Sequence, residues 1–130
     1  SKGAFTGATS IGTSAVESAT TIVSSTVTGV SEAGGDVARA IKSSVSGVIQ
    51  GAAEVGGDVA TVAVHAVESA IKTAGDVGAD VSEATEHAVT SAVKAADEIG
   101  SEAGAAVREG LLASAALPGD IVKSAIGKQD

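Results

Sequence analysis

"EVGGDVATVAVHAVESAIKTAGDVG" (residues 54–78) is patterned as a helix yet carries glycine at 56, 57, 75 and 78. Apolar residues return at helical spacing on both sides of each interruption. A glycine inside a helix costs about 1 kcal/mol relative to alanine, so this density of glycine needs a reason.

The wider chain supplies a frame for it. Cut every 22 residues, it gives five matching segments: 9–30, 31–52, 53–74, 75–96 and a weaker 97–118. The fourth column is glycine throughout (Gly12, Gly34, Gly56, Gly78, Gly100), and the fifteenth is Val23, Val45, Val67, Val89 and Leu111. The nineteenth is Val27, Ile49, Ile71, Val93 and Ala115, and acids fill the sixth at Asp36, Asp58, Asp80 and Glu102. Recurrence at a fixed period is the mark of a repeat architecture. Within each unit the apolar columns follow a 4-3-4 spacing used twice, so the 22-residue unit is two elevens. An 11-residue period keeps one apolar stripe on one helix face.

The fold class implied is all-α: long amphipathic helices on a 2 × 11 repeat. Residues 1–8 form a lead, 9–118 the five repeats, and 119–130 a short capping or docking helix. Two arrangements are compatible with the frame. Helices run through the glycines, or each "G-G/A-D" is a break in which Asp58 or Asp80 caps the next helix and Gly75 closes the last. The uninterrupted apolar phase favours continuous helices. Segment 9–30, rich in β-branched residues with Glu17 its only charge, is read as a helix packed deeper than the rest. After "LLASAALPGD", Pro118-Gly119 reads as a turn and Asp120 as the N-cap of a helix over Ile121–Ile126.

Composition narrows the function. Phe5 is the only aromatic, Leu111, Leu112 and Leu117 the only leucines, and Cys, Met, Trp and Tyr are absent. A core of Ala, Val and Ile has few of the large anchors that dominate burial energy, which suggests close-approaching helices and partners. A net charge of −8 argues against nucleic acid, which demands a basic face, and against electrostatic attachment to anionic lipid. No run of eighteen apolar residues marks a membrane span, and "SKGAFTGATS" has no signal-peptide core. These features favour a cytoplasmic or membrane-peripheral location.

No catalytic constellation stands out. His65 and His87 share a repeat column and read as helix-surface residues. "EATEH" (83–87) lacks the first histidine of a zincin motif. Glu54/Asp58, Asp76/Asp80 and Glu98/Glu102 recur four apart and read as a solvated face. Serine is abundant, but there is no G-x-S-x-G elbow, and the glycines fit no phosphate loop. No catalytic residue, cofactor or metal is assigned, and an enzyme is not expected.

The glycines point instead to close backbone approach, as in small-xxx-small pairing; Gly47, Gly51 and Val55 lie four apart. The stripe expected to meet other chains is Gly12, Val23, Val27, Gly34, Val45, Ile49, Gly56, Val67, Ile71, Gly78, Val89, Val93, Gly100, Leu111 and Leu112.

In style, "VGGDVATVAVHAVESAIKTAGDVG" resembles the 11-residue amphipathic repeats of synuclein, perilipin, apolipoprotein and late-embryogenesis-abundant proteins. That resemblance implies a helix lying on lipid or protecting surfaces, although this chain is acidic and lysine-poor where those repeats carry lysine. The leading expectation is a non-enzymatic helical scaffold or accessory subunit that forms a homo-oligomer or joins a larger protein assembly. The alternatives are an amphipathic binder of membrane, lipid-droplet or granule surfaces, and helices lining an apolar conduit for a small hydrophobic molecule.

Overall fold

A computed structural model describes the backbone of residues 2–127 and the side chains of residues 15–127. It is all-helical: α1 (Lys2–Glu32), α2 (Val37–Glu54), α3 (Val59–Asp76), α4 (Val81–Ile99), α5 (Ser101–Ala113) and α6 (Gly119–Gly127).

Only the first repeat keeps the favoured continuous helix, with α1 running through Gly12; the chain breaks at the other four glycines of the column, Gly34, Gly56, Gly78 and Gly100. Gly34, Gly56 and Gly78 take φ of 78°, 73° and 80°, a left-handed conformation that side-chain-bearing residues resist. Each closes its helix with a pair of reversed hydrogen bonds. At the first break the Gly35 N–H donates to Val30 O at 2.8 Å, and Gly34 N–H to Ser31 O at 3.1 Å. The same pair recurs as Gly57 to Ala52 with Gly56 to Ala53, and as Ala79 to Ala74 with Gly78 to Gly75.

Two residues after each left-handed glycine an aspartate starts the next helix. Asp36, Asp58 and Asp80 accept from the backbone N–H of Arg39, Thr61 and Glu83 at 3.2, 3.1 and 3.0 Å, satisfying an otherwise orphaned donor. The three helices that follow these turns, α2, α3 and α4, have 18, 18 and 19 residues. Gly78, not Gly75, closes α3; Gly75 stays inside it.

The fifth repeat lacks the "G-G/A-D" element. α4 passes to α5 through Gly100 alone, in extended conformation and with no side-chain cap. At the end of the chain the Val122 N–H donates to Pro118 O at 3.0 Å. α6 therefore starts earlier than expected, and Asp120 lies in its first turn rather than at its cap.

Among the described residues, every helix packs against the next and the next but one, and none against a helix three or more along. Odd helices form one layer and even helices the other, in a strip that grows by one helix per repeat. Four-residue turns make the first three connections, Gly100 alone the fourth, and residues 114–118 the fifth. The core between the layers is almost wholly valine and alanine: Val23, Val27, Val45, Val67, Val89 and Val93 are fully buried, with Ala63, Ala66, Ala70, Ala88, Ala92 and Ala96 between them. Small side chains bring the axes close, as low interaxial distances require, so close packing stands in for the missing large anchors.

α1 is not packed deeper than the rest. Of its described side chains only Ala19, Val23 and Val27 are buried, and Ile22 is 48% exposed. Among the described residues nothing covers the side of α1 that carries Ser18 and Ile22.

Candidate interaction surface

The expected interaction stripe is consumed inside the chain. Val23, Val27, Val45, Ile49, Val67, Val89, Val93 and Leu111 are buried in the chain's own core, with Ile71 partly buried against it. Gly34, Gly56 and Gly78 are turn residues, and a Cβ at any of them, or at Gly100, would meet nothing within 4 Å. They are not contact points. Leu112 alone of the described stripe presents a large exposed side chain, at 49%. Gly12 precedes the residues whose packing is described.

What remains open is a groove between α1 and α2. Ala15, Ser18, Ala19 and Ile22 form one wall and Ser43, Ser44, Gly47, Val48, Gly51, Ala52 and Val55 the other, enclosing about 360 Å³ with no charged lining residue. A Cβ on Gly47 or Gly51 would meet nothing within 4 Å, so these glycines floor the groove instead of seating a helix of this chain. At its rim Ile22 and Val55 are 48% and 72% exposed. The four-residue spacing of Gly47, Gly51 and Val55 was the sequence signal for this place; Ala15, Ser18 and Ile22 were not singled out as part of it.

The repeat explains why the groove exists. In α3 the positions equivalent to Ser44, Gly47, Val48 and Gly51 are Ala66, Ser69, Ala70 and Thr73, all buried. Ser69 Oγ donates there to Thr20 O of α1 at 3.0 Å, so this face receives the helix two places earlier. In α4 the equivalent Ala88, Ala92 and Ala95 are likewise buried, on a helix that packs against α2. For α2 no described helix lies two places earlier, and its face stays open.

The polar candidates do not converge. The carboxylates expected to lie four apart on one helix face are split by the turns. Glu54 and Asp76 end helices, while Asp58 and Asp80 cap the next ones. Glu98 and Glu102 fall on α4 and α5, on either side of Gly100. His65 Nδ1 lies 3.7 Å from Glu68 Oε1 within α3, and His87 sits on α4. Among the described residues no group of three or more His, Asp or Glu side chains is placed to hold a metal ion. A second cleft, between α2 and α4, is polar, lined by Lys42, Ser46, Thr90, Lys94 and Glu98 among others, with both lysines exposed.

Two carboxyls have perturbed acidity, for structural reasons. The Thr61 N–H bonded to Asp58 holds that carboxyl below its ordinary value of 3.8, since a bond to the charged form favours it. Arg108 does the same for Asp97, meeting it fork to fork at 2.8 Å through both nitrogens. This pair ties α5 back to α4 across Gly100.

No described helix is long and apolar enough to cross a membrane. Comparison with protein-family models, with curated proteins and with solved structures finds no match for this chain.

Proposed function

We propose that this chain is a non-enzymatic helical repeat module that acts as a scaffold or accessory subunit in a larger assembly. The observation that supports it is the apolar groove between α1 and α2, which no described residue fills, on a module whose helices pack only against those one or two places along. Solenoid-like arrays whose ends are left apolar invite stacking, because a polar terminal face is what normally keeps such an array soluble. The valine–alanine stripe holds the module together; the groove and the rim residues Ile22 and Val55 are what it offers to others.

The rival reading, an amphipathic coat on lipid, requires the stripe to leave the core and face the membrane. Circular dichroism with and without neutral phosphatidylcholine vesicles separates the two. A scaffold keeps its helix content unchanged and melts cooperatively without lipid. Helix that appears only with vesicles would overturn the proposal.

A further inference from the structure

We propose that the polar cleft between α2 and α4 binds a small hydroxylated phosphate monoester. Lys42 and Lys94 neutralise the phosphate, and Ser43, Ser46 and Ser91 donate to its oxygens. This goes beyond the scaffold reading and does not depend on the α1/α2 groove.

The cleft encloses about 460 Å³, within the roughly 300–1,000 Å³ usual for small-molecule sites. Along α2 its lining runs through Lys42, Ser43 and Ser46, and along α4 through Thr90, Ser91 and Lys94. Both rows lead to one end, where Gln50 Nε2 donates to Glu98 Oε1 at 3.4 Å. Ser46 and Thr90 share the sixteenth column of the repeat. Lys42 stands one turn before that level and Lys94 one turn after it, about 12 Å apart along the helices at 1.5 Å per residue. Two flexible four-carbon stems close that gap over the hydroxyls between them.

The repeat shows why Lys94 is uncommitted. Lys72 and Lys94 share the twentieth column, and each has a carboxylate four residues on, at Asp76 and Glu98. Lys72 Nζ pairs with Asp76 Oδ2 at 3.5 Å. Lys94 makes no such pair, because Gln50 of α2 engages Glu98 instead. Lys42 likewise forms no ion pair with a described residue. The side chains of Ser43, Ser46 and Ser91 make no hydrogen bond to described residues, whereas Thr90 spends its proton on Glu86 O at 2.9 Å.

This donor set defines the ligand class. Two ammoniums and three free hydroxyls, drawn from two helices, suit a tetrahedral dianion that accepts from several sides. No arginine lines the cleft to select a planar carboxylate with its fork. Beside Lys94, Glu98 keeps a second oxygen that accepts a hydroxyl of the esterified group. The net charge of −8 repels a polyanion such as nucleic acid, so the ligand is small.

The test uses the full chain at low ionic strength, with glycerol 3-phosphate and inorganic phosphate as probes. Calorimetry should show saturable one-to-one binding, tighter for glycerol 3-phosphate. Lys42→Gln and Lys94→Gln should each weaken it about tenfold, the usual effect of losing a charged hydrogen-bond donor. Both side chains are exposed, so helix content and melting should not change. Lys72→Gln, whose ammonium already has Asp76, should bind as wild type does. Glu98→Gln should tighten inorganic phosphate and abolish the preference for glycerol 3-phosphate. Vesicles of phosphatidylcholine with and without lysophosphatidic acid, which keeps one hydroxyl free, separate the two carriers of this group. Recruitment that needs lysophosphatidic acid and fails in Lys94→Gln supports the site with a lipid as carrier. Soluble binding without recruitment supports it with a free ester.

Absence of binding to both soluble probes and to vesicles overturns the inference. So does binding that survives both lysine variants, or that falls equally in Lys72→Gln, since charge alone would then explain it. A Glu98→Gln variant that keeps the wild-type preference overturns the assignment of an ester. Each of these outcomes leaves the scaffold reading standing.

Discussion

Ser69 of α3 donates its hydroxyl to the Thr20 carbonyl of α1 at 3.0 Å, joining residues 49 positions apart. The bond is part-buried and lies on the face through which each helix receives the one two places earlier. Ser69→Ala removes it at a cost of about 1 kcal/mol. Ser69→Leu forces α1 away from α3 and costs about 1–3 kcal/mol, the usual range for overpacking. Thermal melts should show both variants below wild type and the leucine variant lowest.

The same substitution should change sign with position along the repeat. Gly78→Ala places a side chain at φ of 80° and destabilises by about 1–2 kcal/mol. Gly47→Ala adds a Cβ in open space within α2 and stabilises by about 0.5–1 kcal/mol. Chemical denaturation of the two variants side by side reads the difference. Equal signs would contradict the assignment of Gly78 to a turn.

Asp58 should cap α3 more strongly as a carboxylate than in any other form. Asp58→Ala costs about 0.5–2 kcal/mol. Because the fold lowers the pKa of Asp58, its contribution is complete above the ordinary value of 3.8. It is lost as pH falls through the lower folded-state value. The stability gap between wild type and Asp58→Asn should therefore narrow below about pH 3.8. Denaturant midpoints measured from neutral to acid pH test the sign.

Gly104 leaves the space in which the Asp97–Arg108 pair sits. A Cβ there would run into the Asp97 carboxylate and come within 3.0 Å of the Arg108 guanidinium. Gly104→Ala displaces the flexible carboxylate, so the stability cost stays near that of an exposed ion pair, about 0–1 kcal/mol. The sharper readout is the Asp97 carboxyl itself. Followed by NMR titration, its pKa should rise toward 3.8 once Arg108 no longer holds it down.

Helix content and the buried columns are legible in the 22-residue frame, because Val45, Val67 and Val89 occupy the same place in three successive helices; the boundary drawn between a lead over 1–8 and the first repeat is not, since α1 runs across it. The breaks were harder to read. Columns that recur every 22 residues look the same whether one helix keeps its phase or the fold repeats, so the unbroken pattern alone does not separate the two. The decisive local clue lay in the pairing of Gly56 with Asp58: a left-handed residue followed two places later by an N-cap can only be a turn. The groove was legible as glycine spacing but not as a place. Gly47 and Gly51 resemble contact glycines, and only the missing neighbour two helices earlier shows that nothing of this chain lies over them.

The turn built from Gly56, Gly57 and Asp58 has a consequence for how such a chain can change length. Each turn is local, so one more 22-residue unit would fold by itself. Yet a single added unit reverses the direction of every helix after it and moves each to the opposite layer. Two added units restore both. Because every contact runs only to the next helix or the next but one, the packing survives a single added unit; what changes is the layer and the heading that the later helices take.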